Sequence, residues 1–187
     1  KTRFQDLGLP NDILHAIADL DFKYCTPIQA EILPLTLASK DMAGKAQTGT
    51  GKTAAFLLGM LTQFARNAKG KPNLGSPRAL ILAPTRELAK QIGKQLFRFT
   101  KYTEKIFIEV LCGGDNIDRQ EDSLRRPTHI IVATPGRLLD LIERESLNLE
   151  TIQYLVLDEA DEMLSLGFKK QLTEILRLAA NRRSTWL

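Results

Sequence analysis

The stretch "AGKAQTGTGKTAAF", Ala43–Phe56, decides the fold. Gly49 and Gly51 stand one residue apart, so the backbone can turn tightly and point its N–H groups inward. A helix is expected from Gly51 onward, and its free N-terminal N–H groups would extend that cradle into an anion site. Lys52 supplies a full positive charge for the β- and γ-phosphates of a nucleotide, and Thr53 sets a hydroxyl where a magnesium ligand is needed. A Gly-Lys-Thr triplet alone is a weak signal. The context of an expected strand at Asp41–Lys45, then loop, then helix carries the reading. Ala46 fills the place where the pattern usually begins with glycine, and it is small enough to leave the loop open. The competing reading is a glycine-rich turn with no ligand.

A magnesium site needs a carboxylate from elsewhere in the chain. "YLVLDEAD", Tyr154–Asp161, is an apolar strand running into acids. Asp158 is placed to hold Mg²⁺ through water, and Glu159 to act as the general base that positions an attacking water. The other reading is an acid-rich helix N-terminus, where carboxylates oppose the dipole.

Around these two stretches, short apolar runs alternate with longer periodic ones. Strands are predicted at Asp41–Lys45, Arg78–Ala83, Phe107–Cys112, His129–Ala133 and Tyr154–Leu157. Helices are predicted at Pro10–Leu20, Pro27–Ala38, Gly51–Ala68, Thr85–Lys101, Asn116–Arg125, Gly136–Arg144 and Lys169–Ala180. Leu88, Ile92, Leu96 and Phe99 form an apolar stripe at helical spacing, as a helix packed on a sheet requires. Strand–helix alternation implies an α/β domain with a mostly parallel sheet and helices on both faces. Such sheets bind ligands beyond the carboxyl ends of their strands. The informative segments are therefore "GKAQTGTGKT", "PTRELA", "GGDN", "TPGR" and "DEAD". Arg66–Pro77, rich in Gly, Pro and Lys, reads as an exposed connector.

The bulk properties exclude several classes. At 187 residues the chain fits one domain with a substantial core. No apolar run approaches the ~20 residues of a membrane span. Cys25 and Cys112 show no metal-binding or disulfide spacing, which favours a reducing, cytoplasmic setting. His15 and His129 lie far apart and read as structural. A net charge of +4 permits a nucleic-acid partner without requiring one. The chain starts at Lys1 rather than Met and reads as a piece of a longer protein.

With these motifs in order, the sequence resembles the DEAD-box RNA helicases from Phe4 to Leu187. "DEAD" stands at Asp158–Asp161. "AQTGTGKT", Ala46–Thr53, is similar to the family's phosphate loop, which commonly begins with Ala. "PTRELAKQ" (Pro84–Gln91), "GG" (Gly113–Gly114) and "TPGR" (Thr134–Arg137) resemble its RNA-contacting motifs. "TPIQ" (Thr26–Gln29) resembles its adenine-reading motif, with Cys25 where the family usually has proline. "CTPIQA" and "LPLTLA" resemble the RhlB-like bacterial subgroup.

The resemblance implies a RecA-like P-loop NTPase domain with ATP and Mg²⁺ as cofactors, and 1–30 as the segment carrying the adenine motif. It implies a nucleotide site of Phe22, Gln29, Ala46, Gln47, Thr48, Gly49, Thr50, Gly51, Lys52, Thr53 and Asp161. Lys52, Asp158 and Glu159 would be catalytic, with Thr53 and Asp158 serving the metal. The Gln29 carboxamide has a donor and an acceptor that match N6 and N7 of adenine; guanine shows two acceptors there. Phe22 would stack on the base and Phe4 would buttress the motif, with core packing the rival role for both. RNA, single-stranded or duplex, would lie on Pro84, Thr85, Arg86, Gly114, Thr134 and Arg137. Thr85 and Thr134 precede helices and Arg86 and Arg137 suit phosphates, so binding should ignore sequence. The resemblance further implies a second RecA-like domain, partners in RNA degradation or on the ribosome, and little ATP hydrolysis by residues 1–187 alone. A DNA helicase or other P-loop ATPase, and a non-catalytic RNA-binding adaptor, are the competing readings.

Overall fold

A computed structural model describes residues 1–43, 51–67 and 74–187. Its centre is a parallel sheet of β1 (Ala79–Leu82), β2 (Ile108–Leu111), β3 (Ile130–Ala133), β4 (Tyr154–Leu157) and β5 (Ser184–Trp186), in the order β2-β3-β1-β4-β5. The register is direct: Ala79 pairs with both Ile130 and Tyr154, and Leu82 with both Ala133 and Leu157. Every residue of β1, β3 and β4 is buried. This explains why these runs are continuously apolar, for a parallel sheet is covered on both faces.

Side-chain alternation divides the core in two. Ala79, Ile81, Ile130, Val132, Tyr154, Val156 and Trp186 face a first layer. It contains α1 (Asn11–Asp19), α2 (Pro27–Leu37), α3 (Lys52–Asn67) and α4 (Arg86–Phe99), preceded by a 3-10 turn at Phe4–Leu7. Leu80, Leu82, Ile131, Ala133, Leu155 and Leu157 face the second layer. That layer holds α5 (Ile117–Ser123), α6 (Pro135–Glu143), α7 (Ala160–Ser165) and α8 (Lys169–Leu178). The stripe of α4 behaves as its spacing requires: Ile92, Leu96 and Phe99 are buried, and Leu88 is partly so.

The predicted elements end within two residues of the observed ones, apart from the following differences. Of the strand predicted at Asp41–Lys45, Met42 makes a parallel bridge to Trp186, and residues 44 and 45 lie outside the described residues. Helix α7 starts inside "DEAD" at Ala160 with Asp161 and Glu162 in its first turn, as the alternative reading of an acid-rich helix N-terminus had it; it is missing from the helices named by period because six residues are too few to show one. Strand β5 lies in the closing "NRRSTWL", where the resemblance implies that a strand begins, and is absent only from the strands read from apolar runs. Only the middle of the Arg66–Pro77 connector, residues 68–73, lies outside the described residues. Both histidines are structural: His15 stacks on Tyr102, and His129 accepts the Phe107 N–H through Nδ1 at 3.1 Å. Both cysteines are free.

Strand order places the motifs. Beyond the carboxyl ends, the segments after β2, β3, β1 and β4 follow one another as "GGDN", "TPGR", "PTRE" and "DEAD". The three loops of RNA-motif type are thus neighbours, and the acids flank them on the β4 side.

Candidate nucleotide and RNA site

Thr53 and Asp158 meet although 105 residues separate them. Thr53, in the first turn of α3, donates its hydroxyl to Asp158 Oδ2 at 3.0 Å. Asp158 closes β4, where its N–H still bonds to Leu82 O. It is 2% exposed. Burial raises its pKa, while the Thr53 hydroxyl and the positive charge of Lys52 act in the opposite direction. A buried carboxylate beside a hydroxyl and a lysine is a set of hard oxygen donors with a compensating cation nearby. Among the described residues no cluster of three His, Cys, Asp or Glu could hold a metal by itself. The pair therefore suits a cation such as Mg²⁺ that takes one or two protein oxygens and keeps water and phosphate for the rest.

Glu159 follows in the left-handed conformation, φ 54° and ψ 51°. For a non-glycine residue this is strained, by roughly 1–2 kcal/mol. The strain reverses the chain between β4 and α7 and keeps both acids at the strand end. The Glu159 pKa is raised to about 7, first by a hydrogen bond with Glu162, then by burial and by the charges of Glu162, Asp158 and Asp161. Asp161 is exposed and accepts the Glu162 N–H at 3.0 Å. Glu162 had no part in the sequence reading; only its position three residues after Glu159 hinted at a contact.

Gln29 is a structural residue first. Thr26 caps α2 by accepting the Gln29 N–H at 3.3 Å, and Gln29 Oε1 accepts the Thr26 N–H at 3.0 Å. This is a capping box, and the Thr-x-x-Gln spacing of "TPIQ" encodes it. Gln29 Nε2 then donates to Gly51 O at 3.3 Å. Gly51 has φ +88°, and a Cβ there would lie 2.3 Å from Gln29 Nε2. Only glycine both adopts this conformation and admits the amide. The adenine-type motif is thereby latched to the end of the phosphate-type loop. Ala46, Gln47, Thr48, Gly49 and Thr50 lie outside the described residues.

The two aromatics separate cleanly. Phe4 is 2% exposed and belongs to the core. Phe22 is 42% exposed and walls two recesses. One, of about 280 Å³, includes Phe4, Leu14, Asp21 and Lys23; the other, of about 490 Å³, faces α4.

On the other half of the edge, Thr85 caps α4 by accepting the Leu88 N–H at 3.2 Å. Thr134 precedes α6, but its hydroxyl accepts the Gly113 N–H at 3.2 Å instead of capping its own helix. Arg137 Nη1 donates to Cys112 O at 3.2 Å, Asp115 O at 2.8 Å and Gln120 Oε1 at 2.8 Å. It ties the "GGDN" loop down, a role the sequence did not reveal. Arg86 is exposed and pairs with Asp115 at 3.3 Å, which Lys90 also approaches at 3.5 Å. Gly114, at φ +86°, lets the Arg86 guanidinium lie over the loop, since a Cβ would come 2.6 Å from Nη1. Pro84 is buried beneath. Asp115 was missed as a site residue: an acid among cations gives no signal until the loops are brought together.

The fold and these two half-sites define an α/β domain of the nucleotide-phosphate-binding type. The family model "DEAD/DEAH box helicase" matches residues 26–187. The chain belongs to that family. It is 50% identical over 179 residues to "ATP-dependent RNA helicase RhlB" of Pseudomonas putida, covering 95% of this chain and 45% of that protein. It is 46% identical over 182 residues to "RNA helicase CrhR" of Synechocystis sp., covering 97% of this chain and 35% of that one. Its structure superposes on the crystal structure of a DEAD box protein from the hyperthermophile Methanococcus jannaschii with a TM-score of 0.87, at 35% identity, covering 100% of this chain and 49% of that one. The chain thus spans less than half the length of the relatives it matches. No helix among the described residues is long and apolar enough to cross a membrane.

Proposed function

We propose that this chain is the ATP-binding and RNA-contacting half of an ATP-dependent RNA helicase. The observation that carries the reading is the meeting of Thr53 with the buried Asp158, directly beside Lys52 and Glu159. Lys52 binds the β- and γ-phosphates. Thr53, and Asp158 through water, would hold Mg²⁺, which would supply positive charge to the phosphates. Glu159 takes the proton of the water that attacks the γ-phosphorus, so its near-neutral pKa suits a base working near pH 7. Gln29 reads adenine with the donor and acceptor capacity its protein partners leave unused, and Phe22 offers an exposed ring for stacking.

Thr85, Arg86, Gly114, Thr134 and Arg137 follow the ends of neighbouring strands beside this site, which supports their reading as one RNA-contacting surface. Their groups suit phosphate and sugar, so RNA is held without base readout. A second domain of the intact protein closes over both ligands and couples hydrolysis to local duplex opening; relatives more than twice as long support this.

The test is ATP turnover by the intact protein with RNA, with DNA and with neither. Stimulation by RNA alone is expected. Equal stimulation by DNA would favour a DNA helicase, and no turnover with any of them would favour a binding adaptor.

A further inference from the structure

Helix α4 carries cations well beyond its first turn. Arg86, Lys90, Lys94 and Arg98 recur at every fourth residue, while Ile92, Leu96 and Phe99 hold another face in the core. At 1.5 Å per residue the row is about 18 Å long. Four residues overshoot one turn, so the row winds about 40° per step towards the side that bears Gln91 and Gln95.

The cations differ in their partners. Arg86 and Lys90 share Asp115. Lys94 and Arg98 make no ion pair among the described residues, and Glu87 in the first turn is the only acid of the helix. Lysines and arginines on a helix surface ordinarily face only water. Here Lys94 and Arg98 instead line the recess of about 490 Å³, together with Gln91, Gln95, Leu20 and the exposed Phe22. Cations without an ion pair among the described residues, beside amide donors in one recess, suit a phosphodiester with its sugar. The recess lies further along the same helix from Arg86, which follows one of the loops of RNA-motif type.

We propose that Lys94 and Arg98, with Gln91 and Gln95, form an auxiliary site for the backbone of single-stranded RNA, extending the track from Arg86 along α4. This rests on the reading of Arg86 and its neighbouring loops as an RNA surface. An RNA too short to leave those loops cannot reach Lys94; a longer one can.

The experiment measures binding of labelled single strands of about 6 and about 15 nucleotides to the intact protein, between 50 and 200 mM salt. Each phosphate contact contributes about 0.7 to the salt slope of a single strand, so two contacts add about 1.4, or roughly a sevenfold larger loss over that fourfold rise in salt. The double variant Lys94→Ala/Arg98→Ala should lose this excess on the long strand and bind the short one as before. The exchange Lys94→Arg/Arg98→Lys should retain it, which separates lost charge from disturbed folding. Equal weakening on both lengths would reveal a general charge effect and overturn the proposal. Unchanged binding of the long strand would also overturn it, leaving the row to an acidic protein surface or to solvent. If Arg86→Ala altered neither strand, the RNA surface itself would be misassigned, and both readings would fall.

Discussion

Replacing Gln29 by Ala should abolish base preference and weaken nucleotide binding at once, and the structure gives the size of each effect. A glutamine amide offers two lone pairs on Oε1 and two hydrogens on Nε2. Among the described residues the protein uses one of each: the Thr26 N–H bonds to Oε1 at 3.0 Å, and Nε2 bonds to Gly51 O at 3.3 Å. One acceptor and one donor remain, which is what the N6 and N7 edge of adenine requires. Losing that matched pair costs about 1–3 kcal/mol, or roughly 5- to 150-fold in the ratio of ADP to GDP affinity. The two protein bonds contribute about 1 kcal/mol each to stability, so Tm should fall by about 4–8 °C. Loss of the Gly51 latch should also weaken both nucleotides together. Gln29→Glu separates the parts. A carboxylate still accepts from Thr26 and preserves the capping box, but it faces the Gly51 carbonyl with no donor. Its helix should hold while its nucleotide affinity drops. Titration of ADP and GDP into all three forms, with a thermal melt of each, is the assay. Equal affinity of the unaltered protein for ADP and GDP, or an unchanged ratio in Gln29→Ala, would refute the assignment.

Other perturbations test the remaining residues. Lys52→Ala should lower both nucleotide affinity and turnover in the intact protein. Glu159→Gln should bind ATP and retain it, giving a long-lived RNA complex; near-normal turnover would exclude Glu159 as the base. Because Glu159 must be ionised to act, hydrolysis at saturating ATP should rise with pH through about 7, and a flat profile between pH 6 and 8, on the order of one unit either side of that value, would count against it. The same raised pKa predicts a stability contribution fully present below the ordinary glutamate value of about 4.5 and lost as pH rises towards 7; Glu159→Gln should remove that slope in denaturant titrations. Asp115→Asn should release Arg86 and Lys90 and tighten RNA several-fold with little change in stability, since exposed pairs contribute about 0–1 kcal/mol. Arg137→Ala should instead loosen the "GGDN" loop and weaken all single-stranded RNAs about equally; a loss confined to one sequence would indicate base reading.

The sequence by itself determined the layering and the chemistry of each loop. Continuously apolar runs such as Ala79–Leu82 and Ile130–Ala133 had to be strands covered on both faces, and the Leu88–Phe99 stripe had to be a helix face, because burial imposes those periods directly on the residues. Lys52 beside Thr53, and Asp158 beside Glu159, pointed through local residue type to the phosphate and metal chemistry proposed above. The tertiary structure decided what no local pattern holds. Strand order made "GGDN", "TPGR" and "PTRE" neighbours. Packing delivered Thr53 to Asp158 across 105 residues and gave Gln29 the carbonyl of Gly51. It also gave Arg137, which the resemblance implies as an RNA contact, three protein acceptors around the "GGDN" loop, Cys112 O, Asp115 O and Gln120 Oε1. A side chain's capacity to bond is written in its type. Its partner depends on which backbone groups the sheet register brings within about 3 Å, and that is a property of the whole fold.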